Sequence, residues 1–354
     1  MEEKEFLEWL EREDILNLAK KYSGYFAKVL KQCLNVGKEK VLLVGDVGYP
    51  TRRVAPLLTA SYYLAAKELK LDVDLVLQEP KRGLDKAETK IVKKLFDMPI
   101  NSTIIVNMSG KIGMMDHVGK SFRKFCTTHN HKFASTISLS SIDTFMVKGV
   151  ITALSVDYSK VQKDDKLLKH KIASGKVMKV TTRIGTDLTI DLKNVDVRSA
   201  DGKYVKFGMG GNLPAGEVYF APYNINGKVV IDGSSRNTED AVLIQKPIIL
   251  IIEDNKVVAI KGDEEAKLLD ESLKQAEDRA KYPERIRYLA EFGIGTNPKA
   301  KIIGATIVDE KAYGTAHVAI GSNYWFGGKN KTIIHYDQVF KNPLIKIDGK
   351  PLKF

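Results

Sequence analysis

Four short apolar runs are spaced through the first half of the chain: 40–45 (KVLLVG), 73–77 (VDLVL), 103–107 (TIIVN) and 134–139 (ASTISL). Segments with apolar residues at helical spacing lie between them, at about 52–70, 85–97 and 117–128, after an opening helical stretch over 5–34. Parallel strands need a crossover connection, and helices then cover both sheet faces, so their strands read as continuous rather than alternating apolar runs. The pattern therefore predicts a Rossmann-like α/β domain with a parallel sheet. In the opening helix Phe6, Trp9, Leu10, Ile15, Leu16, Ala19 and Tyr22 form the apolar stripe, and Gly37 stands where a C-terminal cap belongs. The loop Gly45-Asp46-Val47-Gly48-Tyr49-Pro50 is neither GxGxxG nor a Walker A sequence, so no nucleotide site is expected there.

From about residue 176 the texture changes. Met178–Arg183 and Asp187–Leu192 alternate with period two, and further strands are predicted at 217–221, 228–232, 247–253 and 256–260. One long helix is expected over 263–290, and a hairpin around Asp348-Gly349 near the end. This half reads as an α+β domain with a largely antiparallel sheet. The predicted division is 1–165 for the α/β domain and 166–354 for the α+β domain.

Composition excludes several classes. A chain of 354 residues with 44% hydrophobic residues can fill two cores, and it has no run of 18 apolar residues to span a bilayer. Cys33 and Cys126 are the only cysteines, without a pairing pattern, and the N-terminus is acidic rather than signal-like, so a cytoplasmic protein is expected. The net charge of +12 comes from lysines spread along the chain, with acidic and apolar residues interrupting even the densest stretch, 160–179. That is a solvated surface, and neither a nucleic-acid nor a membrane partner is expected.

The candidate chemistry lies in the second half. His117, His129, His131 and His170 have no acidic neighbours at ligand spacing and read as surface or structural. In Thr332-Ile-Ile-His335-Tyr-Asp337 a strand would put His335 and Asp337 on one face, as two ligands of a divalent ion require. His317 sits among small residues in Gly314-Thr-Ala-His317-Val-Ala-Ile-Gly321. Tyr324 follows seven positions later, where one helical face would carry both. Glu217 heads a strand after a Pro/Gly turn, where an unpaired charge is costly. Glu291 is expected on the last turn of the long helix, the unfavourable end of the helix dipole for an anion.

Taken together, NLPAGEVYFAP (212–222), LAEFGIGTNP (289–298), the run from Asp309-Glu310-Lys311 through GTAHVAIGSNY to Tyr324, and HYD (335–337) resemble the aminopeptidase T and aminopeptidase S family of metallopeptidases. The likeness covers the C-terminal half, with looser agreement before it. It implies a dinuclear site in which Glu217, Glu291, His317, Tyr324, His335 and Asp337 hold two divalent ions (Co2+, Zn2+ or Mg2+), with Glu217 or Glu291 bridging. It also implies a homodimeric metallo-aminopeptidase that removes N-terminal residues from short peptide substrates. The connection from Tyr324 to His335, filled by Trp325-Phe-Gly-Gly-Lys-Asn330, is shorter than the family leads one to expect. Two alternatives stand beside this reading. His317, His335 and Asp337 match the two-His-one-carboxylate triad of non-haem Fe(II) oxygenases, and some relatives of the family are ring-cleaving dioxygenases. The other alternative is a non-catalytic basic binding protein.

Overall fold

The computed structural model describes residues 3–83, 85–115, 122–238 and 241–353. Its contacts divide the chain into two compact units, Met1–Ser159 with Gly202–Ala215, and Lys160–Asp201 with Gly216–Phe354.

The first unit opens with helices α1 (Glu3–Arg12) and α2 (Leu16–Gln32). The predicted single helix is split because Asp14 takes a left-handed φ of 55°. Asn35, with φ 43°, closes α2 in place of Gly37, as Val36 N donates back to Leu30 O. Then follow β1 (Val41–Asp46), α3 (Val54–Glu68), β2 (Val73–Gln78), α4 (Thr89–Phe96), β3 (Thr103–Asn107), α5 (Phe122–Thr128), β4 (Lys132–Thr136) and α6 (Val147–Leu154). Leu42, Val44, Ile104 and Val106 pack on Ile91, Leu95 and Phe125 on one side of the sheet. Leu77 packs with Phe6, Leu10 and Ala60 in a separate cluster. This is the doubly covered parallel sheet expected from the apolar runs.

The chain continues through α7 (Tyr158–Ala173), β5 (Val177–Thr181), β6 (Asp187–Asp191) and β7 (Arg198–Ala200). It then supplies β8 (Gly210–Asn212), a three-residue strand that pairs in parallel with β4 and completes the sheet order β2-β1-β3-β4-β8. A strand this short and glycine-rich carries no period-two signal, so the sequence alone does not place it.

Beyond it come β9 (Glu217–Phe220), β10 (Ile225–Ile231), β11 (Ser234–Arg236), β12 (Ala241–Leu243), β13 (Ile248–Glu253), β14 (Lys256–Lys261), α8 (Glu264–Arg279), β15 (Leu289–Gly295), α9 (Thr306–Asp309), β16 (Thr315–Gly321), β17 (His335–Lys341), β18 (Leu344–Ile347) and β19 (Lys350–Pro351). The second unit holds two seven-stranded sheets, β14-β13-β10-β6-β5-β18-β19 and β12-β11-β17-β16-β15-β9-β7. Every strand pairing recorded in them is antiparallel. Val218, Phe220, Phe292, Ile294, Val318 and Ile320 of one sheet share a core with Met178, Leu188, Val229 and Leu250 of the other. α8 stops at Arg279, short of the predicted 290, because Ala280 turns extended and Pro283 cannot continue a helix. Among the described residues no helix is long and apolar enough to cross a membrane.

Candidate metal centre

The face of β17-β16-β15-β9 turned away from that core carries the candidate residues. Strand register decides which side chains meet. Asp337 pairs with Ala319, which pairs with Glu291; His317 pairs with Gly293; His335 pairs with Gly321; and Glu217 pairs with Gly295. Cross-strand partners share a face, and so do residues two apart, so all of these point the same way. The functional side chains alternate across the sheet with Gly and Ala, which leaves room above each neighbour for a long acid or an imidazole. Glu291 therefore lies within a strand, not at a helix end, and the helix-dipole argument for it does not apply.

The distances are those of a cluster. His317 Nε2 lies 3.2 Å from Glu291 Oε1 and 3.7 Å from Glu217 Oε2. His335 Nε2 lies 3.3 Å from Asp337 Oδ1 and 3.7 Å from Glu291 Oε2. Each oxygen of Glu291 thus faces a different imidazole. His335 Nδ1–H donates to Ser322 O at 2.8 Å, which turns Nε2 towards the acids in the tautomer a ligand requires. Trp325 packs edge-on against the His335 ring, with centroids 5.0 Å apart.

Two residues outside the predicted set complete the cluster. Lys311, only 1% exposed, donates to Glu217 Oε1 at 2.5 Å and also to Glu310 Oε1. Both lie in the Asp309-Glu310-Lys311 run, which on its own reads as an ordinary surface charge run. Only the fold beyond α9 turns it inward. Asp309 itself accepts from Ile303 N and Gly304 N and fixes the turn that leads into α9.

Tyr324 is not brought in. It lies on a 3-10 turn (Tyr324–Phe326), not on a helix shared with His317, which is in β16. Its side chain is 62% exposed, with Lys331 Nζ 5.1 Å from the ring centroid, and among the described residues no hydrogen bond joins it to the cluster. Of the other histidines, His131 is buried and accepts from Ser102 N, and His170 is exposed on α7. His117 lies outside the described residues.

Electrostatics mark the centre as a place for positive charge. Burial alone would lower His317, but the hydrogen bond and charge of Glu291, with Glu217 and Asp337 nearby, push it up to about 9. Burial likewise opposes protonation of His335, and Asp337 and Glu291 push it up to about 10. Asp337, despite burial, is held down to about 2 by His335. Burial raises Glu310 to about 8 against the pull of Lys311.

Glycine geometry supplies a first test. A Cβ on Gly293 would stand 2.2 Å from His317 Cε1 and 2.3 Å from Nε2. Gly293→Ala is expected to tilt the imidazole, cost about 1–3 kcal/mol of stability in denaturant titrations, and weaken divalent-cation binding. A variant with unchanged cation affinity would show that the imidazole position does not matter.

A second test concerns Asp165, which is fully buried and hydrogen-bonded to Thr296 Oγ1 at 2.6 Å. Burial, reinforced by Asp201 and Glu217, raises its pKa from 3.8 to about 7. A raised acid favours its protonated form in the folded state. The stability it allows is therefore whole near pH 4 and is lost as pH climbs through about 7. Asp165→Asn is expected to stabilise the protein by up to about 4 kcal/mol at pH 8 and to change little at pH 4. Equal melting shifts at both pH values would contradict this.

The family model described as NicX: 2,5-dihydroxypyridine 5,6-dioxygenase matches residues 151–353, which include every residue of the cluster. Among solved structures the chain is similar to a 2,5-dihydroxypyridine dioxygenase from Pseudomonas putida KT2440, at 19% identity over 94% of this chain and 95% of that one, with a TM-score of 0.69. It is also similar to wild-type AmpT from Thermus thermophilus, at 16% identity over 94% and 98%, with a TM-score of 0.61. No curated protein sequence matches the chain. At such identities the structural likenesses show a shared fold, one common to a dioxygenase and to AmpT.

Proposed function

The chain belongs to the NicX family, on a match over residues 151–353, and we propose that it is a metal-dependent enzyme whose donor cluster, rather than its family's printed activity, favours a dinuclear aminopeptidase acting on short peptides. One observation carries the choice of two ions over one. The candidate donors form two overlapping groups of three that share His317, Glu217 with Glu291 and His317, and Glu310 with His317 and Asp337, each with donor atoms within 4.8 Å of one another; His335 Nε2, 3.3 Å from Asp337 Oδ1 and 3.7 Å from Glu291 Oε2, adds a second imidazole on the Asp337 side. The residues fit cations: Glu217 Oε2 and His317 Nδ1 are buried polar atoms without a hydrogen-bond partner among the described residues.

Charge is compatible with two ions once cation binding has displaced the proton from Glu310, which burial raises to about 8. Glu217, Glu291, Glu310 and Asp337 contribute four negative charges when ionised, and Lys311 returns one, leaving three. A single dication leaves the buried cluster negative; two dications and one hydroxide neutralise it. Glu291, with one oxygen towards each imidazole, would be the residue to hold both ions, because Lys311 already engages one oxygen of Glu217.

Bound there, dications supply a water acidified towards neutrality and a Lewis acid for the scissile carbonyl. The chain's own residues fix the rest. Ser322 O orients His335, Gly293 seats His317, and Trp325 packs edge-on against the His335 ring.

A second reading has its own support. The family name and the Pseudomonas putida structure both point to a ring-cleaving dioxygenase, for which His317, His335 and Asp337 would hold one iron. Product assays separate the two. Zn2+- or Co2+-loaded protein should release the first residue from peptides with a free N-terminus and spare N-acetylated ones. Oxygen uptake with 2,5-dihydroxypyridine by the iron-loaded protein, without peptide cleavage, would replace the first reading with the second.

A further inference from the structure

Lys311 brings a positive charge into the middle of the donor cluster. Its ammonium lies 2.5 Å from Glu217 Oε1 and also bonds Glu310, one member from each three-donor group. A buried ammonium is stable only when paired, and the reverse holds for the two acids beside it. With Oε1 engaged, Glu217 keeps only Oε2 without a hydrogen bond among the described residues. We infer that Lys311 is a built-in monovalent counter-ion. It lets the donor cluster fold before a divalent cation arrives, and it restrains Glu217 to one free oxygen, which keeps the cations exchangeable. Lys311 is thus a positioning residue for the centre proposed above, and the inference rests on that reading.

Two opposite effects follow from removing the charge. The stripped protein would keep Glu217 and Glu310 buried without their shared ammonium and lose stability, while the cation-loaded protein would gain an extra carboxylate oxygen and a more negative site. A residue that merely filled space would lower stability in both states and leave cation affinity alone.

The experiment measures Zn2+ affinity by competition with a chromophoric chelator, alongside melting curves of stripped and Zn2+-loaded protein, for the wild type, Lys311→Met and Lys311→Arg. The expected result is that Lys311→Met binds Zn2+ about tenfold more tightly or better, melts well below the wild type when stripped, and recovers on loading. Lys311→Arg, which keeps the charge, should stay near the wild type in both respects. If Lys311→Met folds only when refolded with Zn2+, the inference is supported in its strongest form. Affinity within about twofold of the wild type would overturn it, and so would a variant that fails to fold even with saturating Zn2+, since no cation would then replace the ammonium. A wild type that binds no divalent cation would instead sink the metal reading itself, so the two failures are told apart.

Discussion

Glu291→Gln is expected to leave the fold intact and to lower peptide turnover by about a thousandfold or more, some 4 kcal/mol of transition-state stabilisation. The fold should survive because the amide is nearly isosteric and the strand's opposite face, Phe292 and Ile294, keeps its place in the core. The chemistry should not. Glu291 Oε1 and Oε2 face His317 and His335 separately, and a neutral amide offers one weak acceptor where two charged oxygens stood. Far-ultraviolet dichroism, melting temperature and steady-state rates on a dipeptide amide check the prediction together. Near-wild-type rates in a folded Glu291→Gln protein would count heavily against a bridged pair of ions.

Removal of the ions should have an effect of similar size. Dialysis against a chelator is expected to abolish turnover, and Co2+ or Zn2+ should restore it. The pH dependence of reloading has a definite sign. Without ions His317 and His335 hold their protons up to about 9 and about 10. Each must surrender that proton to become a ligand, so cation binding near neutral pH releases protons, and affinity rises with pH towards those values. Calorimetry in two buffers of different ionisation enthalpy reads the released protons directly. Activity that persists through exhaustive chelation, or binding that strengthens as pH falls, would contradict the assignment.

The elements legible in the sequence were those whose burial leaves a pattern. Doubly covered β1 and β3 show as unbroken apolar runs, and β5 and β6, each with one buried face, show as alternation. A helix through Glu291 fails because Pro283 ends α8, after which Ile286 and Leu289 join the sheet core. Within the centre, His335 and Asp337 are readable because two ligands two apart on one strand need nothing else to converge. Glu217, Glu291 and His317 become a set only through strand order and register, and a chain without coordinates reaches them only through its resemblance to a family. Glu310 and Lys311 are not legible for a physical reason: three adjacent charges normally face water, and their burial depends on the path of the chain around α9, which has no local signal.

The family model also revises the first expectation. The chain resembles aminopeptidase T in motif and shares the fold of AmpT, but its family match is to NicX, so the reaction has to be argued from the donor cluster rather than from kinship. The most direct measurement is a crystal soaked in Zn2+ with the ions located by anomalous scattering. Two peaks are expected to flank the Glu291 carboxylate, one towards His317 and Glu217, the other towards His335 and Asp337. A single peak held by His317, His335 and Asp337, with both glutamates turned away, would contradict it.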